Sequence, residues 1–284
     1  MKIGLVLEGG SRKCMFTAGV IDALLDEKIE FPYVAGISAG AHGAVNFITK
    51  QRGRLRYVLT PSKLREGKWA NALLDGVQRE FRILNYVTAY GKYALDFDAL
   101  FNSPVEYEIG MTCAETGECE YKTERENQMR LLDILNATSS LPMFFPLAKL
   151  DGRHYADGCV TDSIPFQRAF EKGCDKVFVI STKVPGDKAT DFKRHRIILS
   201  PMYEKKYPKL YEACMVRYER YVAQVKEMER FQAEGKILVF KPEIELCKLF
   251  ETKYDKLEDS YLHGFRYAMK RMDELKDFMG LEKE

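Results

Sequence analysis

Apolar runs and helical patterns alternate through the first half of the chain. Ile3–Leu7 is a continuous apolar run, the pattern of a strand buried on both faces, and a Gly9-Gly10-Ser11 turn follows it. Residues 15–25 then carry apolar side chains mostly at helical spacing. The same order recurs in Tyr33–Ile37 and residues 39–47. Strand, tight turn and helix, twice over, predict a βαβ arrangement in a parallel sheet.

In the second half of the chain, the predicted elements change near residue 200 from short strands and helices to long helices. Residues 105–123 predict a hairpin around Glu115-Thr116-Gly117, residues 128–137 a helix and residues 176–181 a buried strand. Long helical patterns follow over 208–232 and 257–279, with a strand predicted at Ile237–Phe240 between them. We therefore expect an α/β core over residues 1–185. A mostly helical extension over 186–284 is expected to pack on it as part of one enlarged domain.

Composition narrows the classes of protein but names no function. The 284 residues are 46% apolar and carry 44 Lys+Arg against 42 Asp+Glu, which is typical of an ordinary globular chain. A net charge of +2 gives no concentrated basic face for nucleic acid. No spaced Cys/His cluster predicts a metal, and no dinucleotide or phosphate-loop motif predicts a cofactor. We therefore expect neither metal nor cofactor, and no nucleic-acid partner.

Two features bear on the compartment. The seven cysteines include no C-x-x-C pair, so we interpret them as reduced thiols of a cytoplasmic protein. Residues 31–49 lack Asp, Glu, Lys and Arg, but they contain Pro32, His42, Asn46 and three glycines, unlike a membrane span. The first apolar run is too short for a signal peptide.

A G-x-S-x-G pentapeptide is the most specific motif of the chain: Gly36-Ile37-Ser38-Ala39-Gly40. A chain of this length yields about 0.1 such matches by chance, so the motif alone is weak. Its context is stronger, because Ser38 falls where a predicted strand becomes a predicted helix. That position is typical of a nucleophile elbow, in which the hydroxyl is lifted out of the sheet and the helix N-terminus points at it.

Two further segments complete a candidate site. If the first two strands are parallel, the glycine turn after the first lies at the same sheet edge as Ser38 and can present backbone N–H groups as an oxyanion hole. Asp157-Gly158 lies in a turn between Asp151-Gly152 and a helix predicted near Pro165. A desolvated Asp157 can act as a base, although a structural Asp-Gly turn explains the same residues.

These motifs together resemble the patatin-like phospholipase family, specifically its bacterial members. The family's glycine-rich oxyanion loop, its elbow and its later Asp-Gly motif correspond, in order, to Gly9-Gly10-Ser11-Arg12-Lys13-Cys14, Gly36-Ile37-Ser38-Ala39-Gly40 and Asp157-Gly158-Cys159. The likeness covers about residues 1–185. Ser11 and Cys14 stand where the family has glycine, and Cys159 stands where it has a small residue.

The resemblance implies a three-layer α/β/α fold with a mainly parallel sheet and a C-terminal helical region. It implies a serine lipid acyl hydrolase that cleaves fatty-acyl esters or phospholipids through an acyl-enzyme. Ser38 would be the nucleophile and Asp157 the base, and the oxyanion hole would comprise Gly9, Gly10, Ser11 and Arg12. We expect the apolar segment 141–146 to line an acyl pocket, with Phe144 and Phe145 as its substrate-binding residues.

Several alternatives remain open. His195 follows Ser38 and Asp157 in the chain order of an α/β-hydrolase triad, whereas its neighbours resemble a solvated basic loop, and His42 is better explained by packing. The basic residues between 50 and 68 are a solvated helical face or a surface for anionic headgroups, with transient membrane contact. A stripe of Tyr and apolar residues from 207 to 225 predicts a core-facing helix side. The competing function is a lipid or acyl-ligand binder that retains the fold without turnover. The sequence does not indicate the oligomeric state.

Overall fold

The strands of the computed structural model, which describes residues 1–61, 89–90, 93–184 and 190–281, join in one mixed sheet. They are β1 Ile3–Leu7, β2 Tyr33–Ile37, β3 Glu106–Cys113, β4 Cys119–Lys122, β5 Ala148–Leu150, β6 Arg153–Asp157, β7 Lys176–Ile180 and β8 Ile237–Phe240. Their order is β5-β6-β3-β2-β1-β7-β8, and β4 pairs with β3. β1, β2, β3, β7 and β8 are parallel, whereas β4, β5 and β6 run antiparallel to their neighbours.

Helices cover both faces of this sheet. The described helices are α1 Met15–Asp26, α2 Ala39–Ile48, α3 Arg54–Leu59, α4 Phe97–Phe101, α5 Gln128–Thr138, α6 Phe166–Glu171, α7 Arg196–Leu199, α8 Pro208–Ala233, α9 Tyr254–Lys270 and α10 Met272–Met279. Alternate strand residues enter two separate cores: Leu5 and Leu7 pack with α1, α2 and α9, and Val6 packs with α6 and α8. This arrangement confirms the predicted three-layer α/β fold with a mainly parallel sheet and a C-terminal helical region.

Several segments differ from their predictions. Arg153–Asp157 is a strand, so Asp157 ends β6 and does not lie in a turn. The turn that precedes β6 is formed by Asp151 and Gly152, both at positive φ, which is the hairpin geometry that an Asp-Gly pair favours. The single helix predicted over 257–279 is two helices, α9 and α10, separated at Arg271. All seven cysteines are free thiols. Within the described ranges, we found no helix with the length and apolar character needed to cross a bilayer.

Residues beyond 186 take part in the central sheet as well as covering it. β8 pairs with β7 in parallel and is buried along its whole length. α9 lies directly on α1 at two glycines: a Cβ added to Gly264 would come within 2.1 Å of the Phe16 carbonyl oxygen, and one added to Gly19 within 2.1 Å of the Tyr261 carbonyl oxygen. The two helices therefore approach at backbone-to-backbone distance.

Substitution of Gly264 tests this contact. Alanine is the better helix former by roughly 1 kcal/mol, but the added methyl must push α9 away from α1, and overpacking typically costs about 1–3 kcal/mol. We expect Gly264→Ala to lower the free energy of unfolding in urea by about 1–2 kcal/mol. Arg266→Ala, at an exposed position of the same helix, is the control and should change it by less than about 0.5 kcal/mol. A Gly264→Ala protein as stable as the unsubstituted chain would contradict the close packing.

Candidate active site

Two strand ends meet beside β3 and bring the serine and the aspartate together. β2 pairs with residues 106–110 of β3 in parallel, and β6 pairs with residues 111–113 in antiparallel orientation. The C-terminal ends of β2 and β6 therefore point towards each other, with Ile37 opposite Gly110 and Asp157 opposite Met111. Ser38 follows β2 directly. Its Oγ lies 2.7 Å from Oδ2 of Asp157, in hydrogen-bond contact.

Ser38 has the strained backbone of a nucleophile elbow. Its φ of 54° and ψ of −128° lie outside the regions that a serine ordinarily adopts. α2 begins at the next residue, so the N-terminal end of the helix faces the hydroxyl. Gly40 is required by close approach, because a Cβ at this position would lie 2.3 Å from the Leu7 carbonyl oxygen. The pattern of small residues around Ser38 is thus explained by the packing of α2 on the ends of the strands.

Thr138, at the end of α5, supports the elbow and was not identified from the sequence. The backbone N–H of Ser38 donates to Thr138 Oγ1 at 2.8 Å, and this hydroxyl donates to the Gly110 carbonyl oxygen at 2.5 Å. The side chain is fully buried. It bonds two backbone groups, the Ser38 N–H and the Gly110 carbonyl oxygen, and ties Ser38 to β3.

Asp157 is buried and held by several hydrogen bonds. Its Oδ1 accepts the backbone N–H of Cys159 at 2.9 Å. Its own N–H donates to the Ser140 carbonyl oxygen at 2.9 Å, and its carbonyl oxygen accepts the Thr112 hydroxyl at 2.9 Å. Burial raises the pKa of the carboxyl above its ordinary value, although the hydrogen bonds from Cys159 and Ser38 and the charge of Arg217 act in the opposite direction.

The glycine loop lies against the elbow. A Cβ on Gly9 would come within 2.9 Å of the Ser38 Cβ. Ser11 has a φ of 48°, so the serine that replaces a family glycine adopts a left-handed conformation. Among the described residues, none accepts a hydrogen bond from the backbone N–H of Gly9, Gly10 or Ser11, and the Ser11 hydroxyl, although buried, has no partner there either.

Arg12 differs from its neighbours because a C-terminal segment binds it. Its backbone N–H donates to the Leu249 carbonyl oxygen at 3.2 Å, and its guanidinium donates to the Glu251 carbonyl oxygen. The Cys247 thiol donates to the Arg12 carbonyl oxygen at 3.1 Å. We refer to residues 246–251 as the strap. In this conformation, the Leu249 carbonyl oxygen of the strap accepts a hydrogen bond from the Arg12 N–H, the fourth group expected in the oxyanion hole.

The two phenylalanines expected at the acyl pocket differ in environment. Phe144 is 39% exposed, and its ring lies 5.0 Å from that of Phe250 in the strap. Phe145 is buried. Both follow Ser140, whose carbonyl oxygen accepts the Asp157 N–H, so the segment starts beside Asp157 and reaches the strap. Their role in binding an acyl chain remains a prediction.

No histidine of the described ranges forms a hydrogen bond with Ser38 or Asp157. His195 is exposed at the end of a short 3-10 helix, Phe192–His195. His42 is buried one turn along α2, and its Nε2 lies 3.4 Å from Ser139 Oγ. Burial, with a contribution from Arg54, lowers the pKa of His42 to about 4. No histidine stands between the serine and the aspartate, since the two side chains contact each other directly.

The basic segment is partly built into the fold. Lys50, Arg52 and Arg56 form ion pairs with Glu30, Asp26 and Glu258, respectively. Arg54 is buried, contrary to the solvated face that was the simpler expectation. Lys63, Arg65 and Lys68 lie outside the described residues.

The buried side of α8 differs from the stripe predicted over residues 207–225. Its most buried side includes Arg217, Tyr221 and Gln224, whereas Val222 is exposed.

No group of three His, Cys, Asp or Glu side chains suited to a metal occurs in the described ranges.

The fold and site define an α/β protein with a serine at a strand-to-helix elbow and an aspartate bound to it. The chain belongs to the patatin-like phospholipase family, whose family model matches residues 5–170. A second family model, a domain of unknown function (DUF6363), matches residues 207–280.

Three curated proteins are similar to this chain. The uncharacterized protein YjjU of Escherichia coli (strain K12) is 28% identical over 200 residues, which are 64% of this chain and 52% of that protein. Lysophospholipases NTE1 of Coccidioides immitis and Kluyveromyces lactis are each 23% identical, over 98% and 94% of this chain. The chain spans 18% and 19% of their lengths, so it corresponds to a part of these proteins.

Among solved structures, VipD from Legionella pneumophila has a TM-score of 0.49 and 12% sequence identity. The superposition covers 96% of this chain and 67% of that chain.

Substitution of Thr138 tests the support of the elbow. Thr138→Val keeps the shape but leaves a buried N–H and a buried carbonyl without their partner, and each unsatisfied group typically costs about 1–3 kcal/mol. We expect Thr138→Val to lower the free energy of unfolding by at least about 2 kcal/mol. The matched Thr138→Ser variant keeps the hydroxyl and should lose only about 1 kcal/mol for the missing methyl. Urea unfolding would measure both, and a valine variant at least as stable as the serine variant would contradict this role.

Proposed function

We propose that the protein is a serine lipid acyl hydrolase that cleaves fatty-acyl esters through a Ser38–Asp157 dyad. The observation that carries this proposal is the direct 2.7 Å contact between Ser38 Oγ and Asp157 Oδ2 at an elbow. The family membership and the two relatives named as lysophospholipases support lipids as the substrate class. Phospholipids and lysophospholipids are the esters that these names suggest.

The proposed reaction has two halves. As Ser38 Oγ attacks the ester carbonyl carbon, Asp157 accepts its proton, and the carbonyl oxygen becomes an oxyanion held by N–H groups of the glycine loop. The tetrahedral intermediate collapses, and the leaving alcohol takes the proton from Asp157, which gives an acyl-enzyme on Ser38. Water then attacks the acyl carbon while Asp157 accepts a proton from it. Collapse releases the fatty acid and returns the proton to Ser38.

The oxyanion donors follow from the loop contacts. We assign the role to the N–H groups of Gly9, Gly10 and Ser11, since these have no acceptor among the described residues. Each such donor commonly contributes about 3–4 kcal/mol to lowering the barrier. The Arg12 N–H could join them only after its bond to the Leu249 carbonyl is broken.

We further propose that residues 186–284 act as an extension of one domain whose core is 1–185. Phe144 and Phe145 would contact the acyl chain. Transient contact with a membrane surface and a cytoplasmic location remain expectations from the sequence.

Two observations favour the second candidate, a lipid or acyl-ligand binder without turnover. The strap occupies one expected donor, and Ser11 replaces a glycine at a left-handed position. Both changes affect the oxyanion loop and neither affects the dyad.

Covalent labelling with a fluorophosphonate distinguishes the two candidates. We expect the probe to label wild-type protein on Ser38 and not to label Ser38→Ala. In hydrolysis of a chromogenic fatty-acyl ester, Ser38→Ala should be inactive and Asp157→Asn should lose about 10²–10⁴-fold in kcat/KM, the usual contribution of a general base. His195→Ala, at an exposed position, is the control and should retain activity. A folded wild-type protein that stays unlabelled would favour the binder, and a loss in folded His195→Ala would favour a triad.

The pH dependence of the reaction follows from the burial of Asp157. Only the ionised carboxylate can accept the Ser38 proton, so kcat/KM should fall as the pH decreases through the pKa of Asp157. Because burial raises this pKa, the acid limb should lie above the ordinary value of about 3.9. A profile of kcat/KM between pH 4 and 9, corrected for unfolding by circular dichroism, measures the limb. An acid limb at or below the ordinary value would argue against Asp157 as the desolvated base.

A further inference from the structure

The long helix α8, outside the residues that the patatin family model matches, carries polar side chains on its buried side. Arg217, Tyr221 and Gln224 are spaced so that they share one face of the helix, and Arg220 flanks them. Arg217 is only 6% exposed. Burying such groups is unfavourable unless each finds hydrogen-bond partners, so their partners indicate why they are there.

This face holds the segment that follows the proposed base. Arg217 Nε donates to the Cys159 carbonyl oxygen at 2.9 Å, and Nη1 of Arg220 donates to the Val160 carbonyl oxygen at 3.0 Å. Gln224 Nε2 donates to Oδ1 of Asp162 at 2.6 Å. The turn that contains the Cys159 N–H, which itself binds Asp157, is therefore fixed from one side by a single helix.

Arg217 also anchors a second segment. Its Nη1 donates to the Thr190 carbonyl oxygen at 2.7 Å, and its guanidinium lies over the Phe192 ring at 5.1 Å. The guanidinium is thus held in one orientation by two carbonyls and an aromatic face, which suits the planar, multiply donating shape of arginine. A lysine at this position could keep the charge but could not make both bonds in the same geometry.

The same helix side reaches the base of the glycine loop. Tyr221 OH donates to Oε1 of Glu8 at 3.2 Å, and Glu8 directly precedes Gly9. Glu8 is buried, and it also accepts hydrogen bonds from Ser181 Oγ, the Thr182 N–H and Lys183 Nζ. One face of α8 therefore contacts both the turn that follows Asp157 and the loop of the proposed oxyanion hole.

We propose that Arg217 is a positioning residue of the active site, whose hydrogen bond to the Cys159 carbonyl fixes the turn that follows Asp157 and whose charge stabilises the Asp157 carboxylate. This inference rests on the proposed function, since it assigns Asp157 the role of base.

The groups around Asp157 make the charge effect testable. The turn after Asp157 contributes the Cys159 thiol, whose pKa is raised by burial to about 12. The residue before α2, Ser38, contributes its hydroxyl. β3 and the end of α5 contribute the neutral Thr112 hydroxyl and Ser140 carbonyl. Beyond Arg217, the ionisable pair Glu8 and Lys183 lies at the oxyanion side. Because Arg217 opposes the effect of burial on the pKa of Asp157, its removal should raise that pKa.

The experiment compares Arg217→Met, Arg217→Lys and the control Arg230→Met by profiles of kcat/KM against pH with a fatty-acyl ester. Arg230 lies on the same helix with an exposed side chain that pairs with Glu227 of α8 and with Glu234 just after it. We expect Arg217→Met to lower the plateau value of kcat/KM by about tenfold to a hundredfold, as for a misplaced catalytic group. The same variant should shift the acid limb of the profile, where kcat/KM falls, to higher pH. Arg217→Lys should keep the limb near its wild-type position with a lower plateau. Arg230→Met should change neither.

The outcomes separate this inference from the proposed function. A wild-type protein that fluorophosphonate does not label would refute the proposed function before any variant is compared. With an active wild type, a normal plateau and limb in Arg217→Met would overturn the positioning role. A lower plateau with an unshifted limb in Arg217→Met would overturn the electrostatic part and leave mere structural support. If Arg217→Met fails to fold, Arg217→Gln, which keeps a donor without charge, replaces it, with the same shift of the limb expected and an unshifted limb counting against the proposal.

Discussion

The site depends on the pairing of β3 with two strands that run towards each other. β2 uses the first part of β3 and β6 uses the last, so the ends of both strands are fixed within one residue of each other. A slip of β6 by one residue would turn the Asp157 side chain to the opposite face of the sheet. The hydroxyls of Thr138 and Thr112, bound to the Gly110 and Asp157 carbonyls, add side-chain bonds at this junction. The short Ser38–Asp157 distance is therefore a consequence of sheet register, with no flexible loop between the strands and the two side chains.

Buried charged groups connect the C-terminal region to the first half of the chain. Glu8, Asp157 and Arg217 are nearly inaccessible to solvent, and isolated charges at such positions would be strongly unfavourable. α8 supplies Arg217 and Tyr221, which satisfy groups beside Asp157 and at Glu8. β8 extends the sheet, and α9 packs against α1. Residues after 186 thus complete the hydrogen bonding of the first half.

Local signals in the sequence identified β1, β2, the hairpin of β3 and β4, and the motif residues Ser38 and Asp157, because continuous apolar runs, turn glycines and short motifs are encoded by adjacent residues. β6 was missed, because Arg153 and His154 give it no apolar pattern, its hairpin partner β5 is only three residues long, and its other partner, β3, is more than 40 positions away. The burial of Arg217 was not predicted for a similar reason. Hydrophobic periodicity identifies the apolar residues of a buried helix face, whereas buried polar residues are recognised only from their distant hydrogen-bond partners. The strap contacts of Arg12 join residues more than 230 positions apart.

The choice between hydrolase and binder reduces to the oxyanion loop. The contact between Ser38 and Asp157 at the elbow is the geometry that the proposed nucleophile and base require, so the binder alternative places the loss of turnover in the donors of the loop. Ser11 shows that the loop keeps its left-handed turn with a side chain present, and the N–H groups of Gly9 and Gly10 have no acceptor among the described residues. The strap occupies only Arg12, the donor farthest along the loop from Gly9. In the proposed mechanism, the N–H groups of Gly9, Gly10 and Ser11 would stabilise the oxyanion formed beside Ser38 and Asp157, and we therefore propose the hydrolase ahead of the binder.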